Sequence, residues 1–268
     1  MSADPLMLVL PAYLTMAVCM AGLWAFQLVV RNASIADVAF CAGLIAVVLW
    51  YAAHASGETE RKLVVVLMTC LYAGRLGLYI LLNRVIGKSE DPRYQLLRQR
   101  WGSKREQLFM FGYFHLQAMA VITFSLPFLV VIQNPRPPFS FPELVGFLFW
   151  IAAVSGEAVA DWQLANFRSK PWNHDRVCRE GLWRYSRHPN YFFEWLHWWA
   201  YVVMAIGIPG WPLTGIGPVV MGWALLKVSG VPWAEQQAIR SRGDEYREYQ
   251  RTTNKFFPWR PRRPSQGS

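Results

Sequence analysis

Asn190, Glu194 and His197 stand four and three residues apart, a spacing that puts an amide, an acid and an imidazole on one helix face. They follow a basic, aromatic stretch, and the whole run reads Gly181-Leu-Trp-Arg-Tyr-Ser-Arg-His-Pro-Asn-Tyr-Phe-Phe-Glu194. Proline is best tolerated in a first helical turn, so a helix is predicted to start at about His188 or Pro189. Such a start gathers open backbone N–H groups, the positive dipole end, Arg184, Arg187 and His188 at one place, which suits phosphate. The plainer reading is a basic loop that only sets membrane topology. Glu194 argues against it, because a carboxylate one turn inside an apolar run is costly and usually functional.

Three further groups carry possible chemistry. Tyr72, Arg75 and Tyr79 fall at i, i+3 and i+7, with Asn83 and Arg84 one turn on, and Gly74 and Gly77 offer a neighbouring helix a close approach. Arg84 can snorkel to a membrane boundary, whereas Arg75, about three turns from the end, cannot easily do so. Arg75 therefore either pairs with a buried acid or binds an anion. Glu157, Asp161 and Arg168 form one stripe if their helix continues, as a structural network or as part of a site. Asp37 follows Ser34, a candidate helix cap, and is either a first-turn acid favouring the dipole or a functional carboxylate.

The elements that must position these residues are membrane helices. The 268 residues are 54% hydrophobic and 16% charged, with 14 Trp and a mean hydropathy of +0.17. Soluble domains carry roughly a quarter charged residues. Apolar windows of about 18–25 residues can cross a bilayer. They occur near 6–30, 35–53, 63–86, 109–132, 143–166, 189–208 and 212–229, which predicts an all-α protein with seven transmembrane helices. No internal repeat or domain boundary is visible, so 1–268 reads as one integral membrane domain with a tail over 230–268. The loop 87–108 is polar and reads as a short interfacial helix.

Charge sets the orientation. With the N-terminus outside, the inner segments carry Arg31, seven cations between Arg84 and Arg105, six between Arg168 and Arg187, and nine from Lys227 onward. That places 23 of the 27 Lys and Arg on the cytosolic side, with the C-terminus. The net charge of +10 fits anionic lipid headgroups and an anionic ligand rather than nucleic acid, given the long apolar runs. Cys19, Cys41, Cys70 and Cys178 are scattered, so neither a metal site nor a disulfide framework is indicated. No GxGxxG follows a strand, and HExxH, GxSxG and P-loop motifs are missing, so any nucleotide must sit between helices at the cytosolic end.

These blocks resemble the steroid 5α-reductase family, in its broad bacterial branch. Tyr72-x-x-Arg75-x-x-x-Tyr79-x-x-x-Asn83-Arg84 is similar to that family's third helix. Asp161 with Arg168 is similar to its fifth, and Gly181-Leu-Trp through Tyr185, Asn190 and Glu194 to its sixth. The resemblance implies a seven-helix bundle holding NADPH in a cavity open to the cytosol. It carries Arg75, Tyr79, Arg84, Asp161, Arg168, Asn190 and Glu194 to cofactor-contact positions, with Tyr185, Arg187 and His188 beside them. Tyr72, with a second-helix carboxylate, is carried to the substrate carbonyl. The steroid-type members have a Gln-Glu pair there, and the nearest match is Ala36-Asp37. The Arg187-His-Pro-Asn-Tyr191 run and the Glu245-Tyr-x-x-Tyr249 tail also resemble isoprenylcysteine carboxyl methyltransferases.

The expected activity is NADPH-dependent reduction of a C=C bond conjugated to a carbonyl, in a lipophilic, steroid- or isoprenoid-like substrate. Tyr72 O–H would polarise the carbonyl with help from Asp37, and no metal is required. A bacterial inner membrane is the expected location, or the endoplasmic reticulum membrane in a eukaryote. The alternatives are an S-adenosylmethionine-dependent methyltransferase, with Glu235 and the tail helping to cover its site, and a non-enzymatic lipid-binding or transport protein.

Overall fold

Nine α-helices and several short 3-10 and π turns make up a computed structural model that describes residues 4–102, 104–228 and 230–262. Among these residues there is no strand. The chain divides into two compact units, Met1–Ser140 with Ala205–Ile216, and Phe141–Met204 with Gly217–Ser268.

In the first unit, α1 (Pro5–Val30) starts where Asp4 Oδ1 accepts the Leu6 N–H at 3.0 Å, with Pro5 in the first turn. It ends at Arg31, which takes a left-handed φ of 53° and returns its N–H to the Gln27 carbonyl. Four residues later α2 (Ile35–His54) begins. Ser34 occupies the N-cap position but makes no side-chain cap bond; its hydroxyl accepts the Asp91 N–H at 2.9 Å instead. Next comes α3 (Thr59–Ile80), which lies along α2, and α5 (Glu106–Ile132) packs on both α1 and α2. Gly77 brings α3 close, since a Cβ there would lie 3.0 Å from Cys41 Cβ, while Gly74 meets nothing within 4 Å. The predicted interfacial helix is α4 (Pro92–Trp101), capped by Asp91 Oδ1 on the Arg93 N–H at 2.9 Å.

The second unit is built on α6 (Phe141–Arg168) against α7 (Pro189–Met204). Small residues permit this approach. A Cβ at Gly146 would meet Met204 Cγ at 2.4 Å, and one at Gly156 the Phe193 ring at 2.4 Å. The unit is completed by α8 (Ile216–Trp223) and by α9 (Val231–Thr252), which is kinked at Gly243 (φ 52°).

Six helical runs are long and apolar enough to cross a membrane: α1, α2, Thr59–Val85, α5, α6 and Trp211–Thr252. The chain is a multi-pass membrane protein on that footing. The windows at 189–208 and 212–229 come out shorter and broken. α7 has 16 residues, about 24 Å of helix, against a hydrocarbon core of about 30 Å. Gly207, Pro209 and Gly210 follow its end. The last window is a 3-10 turn at Trp211–Gly215, then α8, then a π turn at Ala224–Val228. Pro212 and Pro218 lack the N–H that a continuous helix needs. The tail runs on to Arg262, and its final residues lie outside those described.

Candidate functional site

In the first unit Asp37 is the acceptor at the centre of a part-buried polar cluster. Tyr94 Oη donates to Asp37 Oδ1 and Arg93 Nη2 to Asp37 Oδ2, both at 2.7 Å. Asp37 is in the first turn of α2, and both donors are in the first turn of α4. The same guanidinium reaches Asp91 Oδ1 at 3.0 Å, and Arg84 lies 3.6 Å from Asp91 Oδ2. Further in, Tyr94 Oη is 3.4 Å from Tyr113 Oη, which accepts from Gln117 Nε2 at 3.1 Å. Tyr94 gives its only phenolic hydrogen to Asp37, so Tyr113 must donate to Tyr94. Three donors therefore point along one line towards the Asp37 carboxylate, each polarising the next.

Titration follows from this arrangement. Burial would raise the Asp91 carboxyl, but the Arg93 hydrogen bonds and charge, with Arg84 behind them, hold it below its ordinary value. Burial pushes the Tyr94 phenol well above its usual range, and the Asp37 charge adds to this. Tyr94 is thus a fixed hydrogen-bond donor rather than an acid.

On α3 of the same unit Tyr72 is buried, at 1% exposure, three residues before the half-buried Arg75. Tyr79 is exposed, and a π turn at Leu81–Val85 carries Asn83 and the exposed Arg84. Such single-turn widenings are frequent at functional sites. Asn83 uses its amide on the Tyr79 carbonyl at 2.9 Å.

In the second unit the stripe on α6 exists, because the helix runs unbroken to Arg168, which is exposed at its end. Asp161 Oδ1 accepts from Asn190 Nδ2 at 3.1 Å. Two predicted cofactor residues, 29 positions apart, therefore meet across α6 and α7. One turn on, Glu194 and His197 are buried on the same face of α7, with His197 Nδ1 2.9 Å from the Glu194 carbonyl.

The start of α7 is occupied more fully than the sequence implies. Gly181, at φ 55°, lets the Gln163 side chain lie where a Cβ would stand, and Gln163 Oε1 accepts the Leu182 N–H at 2.8 Å. Trp183 Nε1 donates to the Ala160 carbonyl at 2.9 Å, fixing the loop to α6. Ser186 Oγ accepts the His188 N–H and Asn190 Oδ1 the Tyr191 N–H, so the first turn of the helix is self-capped. Arg184 and Tyr185 are exposed.

Arg187, by contrast, is 8% exposed. Its Nε lies 2.7 Å from Glu235 Oε1, and its Nη1 donates to the Gln250 and Thr253 carbonyls at 3.0 and 2.7 Å. His188 Nε2 is 3.4 Å from the same carboxylate, and Gln250 Nε2 donates to it at 3.0 Å. Burial would raise the Glu235 carboxyl, but the His188 and Arg187 contacts hold it down to about 2. Burial also lowers the His188 imidazole, with Glu235 opposing it only in part, so the ring is a neutral donor.

Sequence reasoning missed Arg93 and Tyr94 as partners of Asp37, and Tyr113 behind Tyr94. The available signal was the Asp91-Pro92 pair, which marks a helix start directly before two donors. Among the described residues no group of three His, Cys, Asp or Glu could hold a metal. Comparison with curated proteins found no match, and comparison with solved structures found none. The sequence profile described as a protein of unknown function (DUF1295) matches residues 23–253, most of the chain, and the protein belongs to that family.

Proposed function

We propose that this protein is an NADPH-dependent reductase of a C=C bond conjugated to a carbonyl, acting on a lipophilic substrate such as a steroid or isoprenoid. The observation that carries the reading is the Asp161–Asn190 contact at 3.1 Å, a pairing of two positions that the resemblance to steroid 5α-reductases assigns independently to the cofactor. In the second unit Arg168 is an exposed cation at the end of α6, a group that suits a dinucleotide phosphate. The resemblance also assigns two cations of the first unit to the cofactor, the exposed Arg84 and Arg75 within a span. NADPH, when bound, supplies the hydride to the β-carbon of the enone. Tyr72 holds its hydroxyl on the carbonyl oxygen as enolate charge grows there, and the α-carbon then takes a proton. Asp37, fixed by Arg93 and Tyr94, is the candidate second-helix carboxylate that assists.

The proposal includes seven spans, with α7 as the short sixth, an outside N-terminus, and a bacterial inner membrane location. Cysteine probes in a Cys-free background test the topology. Ser89→Cys and Ser169→Cys should react only from the cytosol and Thr59→Cys only from outside; any exchange of sides ends the seven-span assignment. The activity is tested on purified protein by the absorbance of bound reduced nicotinamide and by titration with NADPH. Arg168→Ala should weaken NADPH by about 1.5–3 kcal/mol, the scale of one charge-assisted hydrogen bond.

A second reading has an observation in its favour. Glu235 and the tail lie over residues 185–188, as expected if they help to cover the site of an S-adenosylmethionine-dependent methyltransferase. Measurable S-adenosylmethionine binding without NADPH binding would select it. Binding of neither would leave a lipid-binding or transport protein.

A further inference from the structure

We infer that the C-terminal strap Thr252–Arg262 is a binding site for an anionic phospholipid, with the headgroup phosphate on its basic residues and an acyl chain along α7. This goes beyond the reductase reading and does not depend on it.

The strap is an 11-residue loop whose ends are joined, since the Arg262 N–H donates to the Thr252 carbonyl at 2.7 Å. Its backbone is fixed at three more points on the loop before α7. The Arg187 N–H donates to the Asn254 carbonyl at 2.9 Å, Ser186 Oγ to the Phe256 carbonyl at 2.7 Å, and the Trp259 N–H to the Tyr185 carbonyl at 3.0 Å. Compact loops with closed ends are often functional. A segment held this firmly displays what it exposes, and it exposes Phe257 at 60% and Trp259 at 73%.

Those two rings border an open cleft of about 360 Å³, lined by Asn254, Lys255, Phe256, Phe257 and Trp259. That volume is at the lower end for small-ligand sites. The strap's own charge has one sign. Arg251, Lys255, Arg260 and Arg262 are all exposed, and residues 249–262 contain no Asp or Glu. Aromatic rings beside exposed cations suit the boundary between headgroup and hydrocarbon.

Continuity with α7 identifies the occupant. Phe257 lies 5.9 Å from Phe192 and 5.7 Å from Trp195, and Trp195 is 5.7 Å from the part-exposed Trp199. Phe192, Trp195 and Trp199 repeat at helical spacing, so one aromatic strip runs from the cleft along an apolar helix. A soluble phosphate compound would use the cations and leave the strip bare. A lipid uses both.

The test is native mass spectrometry of the full-length, delipidated protein in detergent, titrated with phosphatidylglycerol or phosphatidylcholine. Phosphatidylglycerol should give a single adduct that persists at collision energies removing phosphatidylcholine. Replacing Lys255, Arg260 and Arg262 together by Gln should weaken that adduct by about a hundredfold, the scale of losing three interfacial cations. Trp259→Ala should weaken it with all charges intact. The melting temperature of each variant before lipid is added reports whether it is folded. Equal adducts with both lipids, or no change in either folded variant, would overturn the proposal. So would glycerol phosphate competing as well as the intact lipid, or a dimer in place of the adduct that Trp259→Ala abolishes.

Discussion

Two clusters of arginine and carboxylate lie at helix starts in this protein, and they are built in opposite ways. In the first unit one guanidinium, Arg93, bridges two acids, and the phenols of Tyr94 and Tyr113 extend the line of donors to Asp37. In the second unit one acid, Glu235, serves a guanidinium, an imidazole and an amide. The first arrangement concentrates donors on a carboxylate named as a reaction residue. The second ties α9 and the strap to the loop before α7. Similar residue types thus hold the proposed reaction carboxylate in place in one unit and a chain segment in the other. Damage to the first should be read in turnover as well as in stability, and damage to the second in stability alone.

The largest effect is expected at Glu235. Removing its carboxylate leaves Arg187 as a nearly buried cation, so Glu235→Ala should cost about 3 kcal/mol, near the lower end for breaking a buried pair. Thermal unfolding in detergent measures it. The sign with pH follows from the depressed carboxyl. Its contribution is complete above the unfolded value of 4.5 and is lost as pH falls through about 2. Glu235→Gln should lack that acid-side decline. An unchanged melting temperature in both variants would remove the contrast between the clusters.

Next is Tyr72→Phe, which keeps the ring packed and removes one oxygen. Turnover of an accepted enone should drop about a hundredfold, the scale of one oxyanion donor, with NADPH binding and melting little changed. Near-normal reduction would sink the assignment of the carbonyl position. The Arg93→Ala change separates the first cluster from that donor. It should cost about 1.5–3 kcal/mol of stability through its charged hydrogen bonds. Turnover should also fall, because Asp37 loses one of two fixed partners. Asp37→Asn should reduce turnover less than Tyr72→Phe, since an amide still accepts from Tyr94.

The smallest effect distinguishes a sequence inference from a structural one. Ser34 reads as the cap of α2, yet its hydroxyl accepts from Asp91. Ser34→Ala should cost about 1 kcal/mol. Hydrogen exchange should quicken at the Asp91 amide while the first turn of α2 keeps its protection. Loss of protection at Asp37 and Val38 instead would restore the cap.

Periodicity and composition were enough for the helices themselves. Hydropathy located α1, α2, α3, α5 and α6, because a bilayer span leaves a long apolar run that no local feature conceals. The Pro189 start of α7 and the one-face spacing of Asn190, Glu194 and His197 were equally legible, since both follow from backbone geometry. The short helix α4 and the stripe along α6 were local features of the same kind.

What the sequence left open was which partner each polar side chain takes. Arg187 and His188 looked like an open phosphate site because their partners, Glu235, Gln250 and Thr253, lie at least 47 residues away. Asp37 looked tied to Tyr72, whereas Arg93 and Tyr94, 56 and 57 residues on, supply its hydrogen bonds. The shortened α7 and the broken run before α9 needed the packed chain as well, because hydropathy averages over the prolines and glycines that end a helix. Helix faces are set by neighbours a few residues apart, and those the sequence determined. Pairings of charge are set by segments far apart in the chain, and only the tertiary structure decided them.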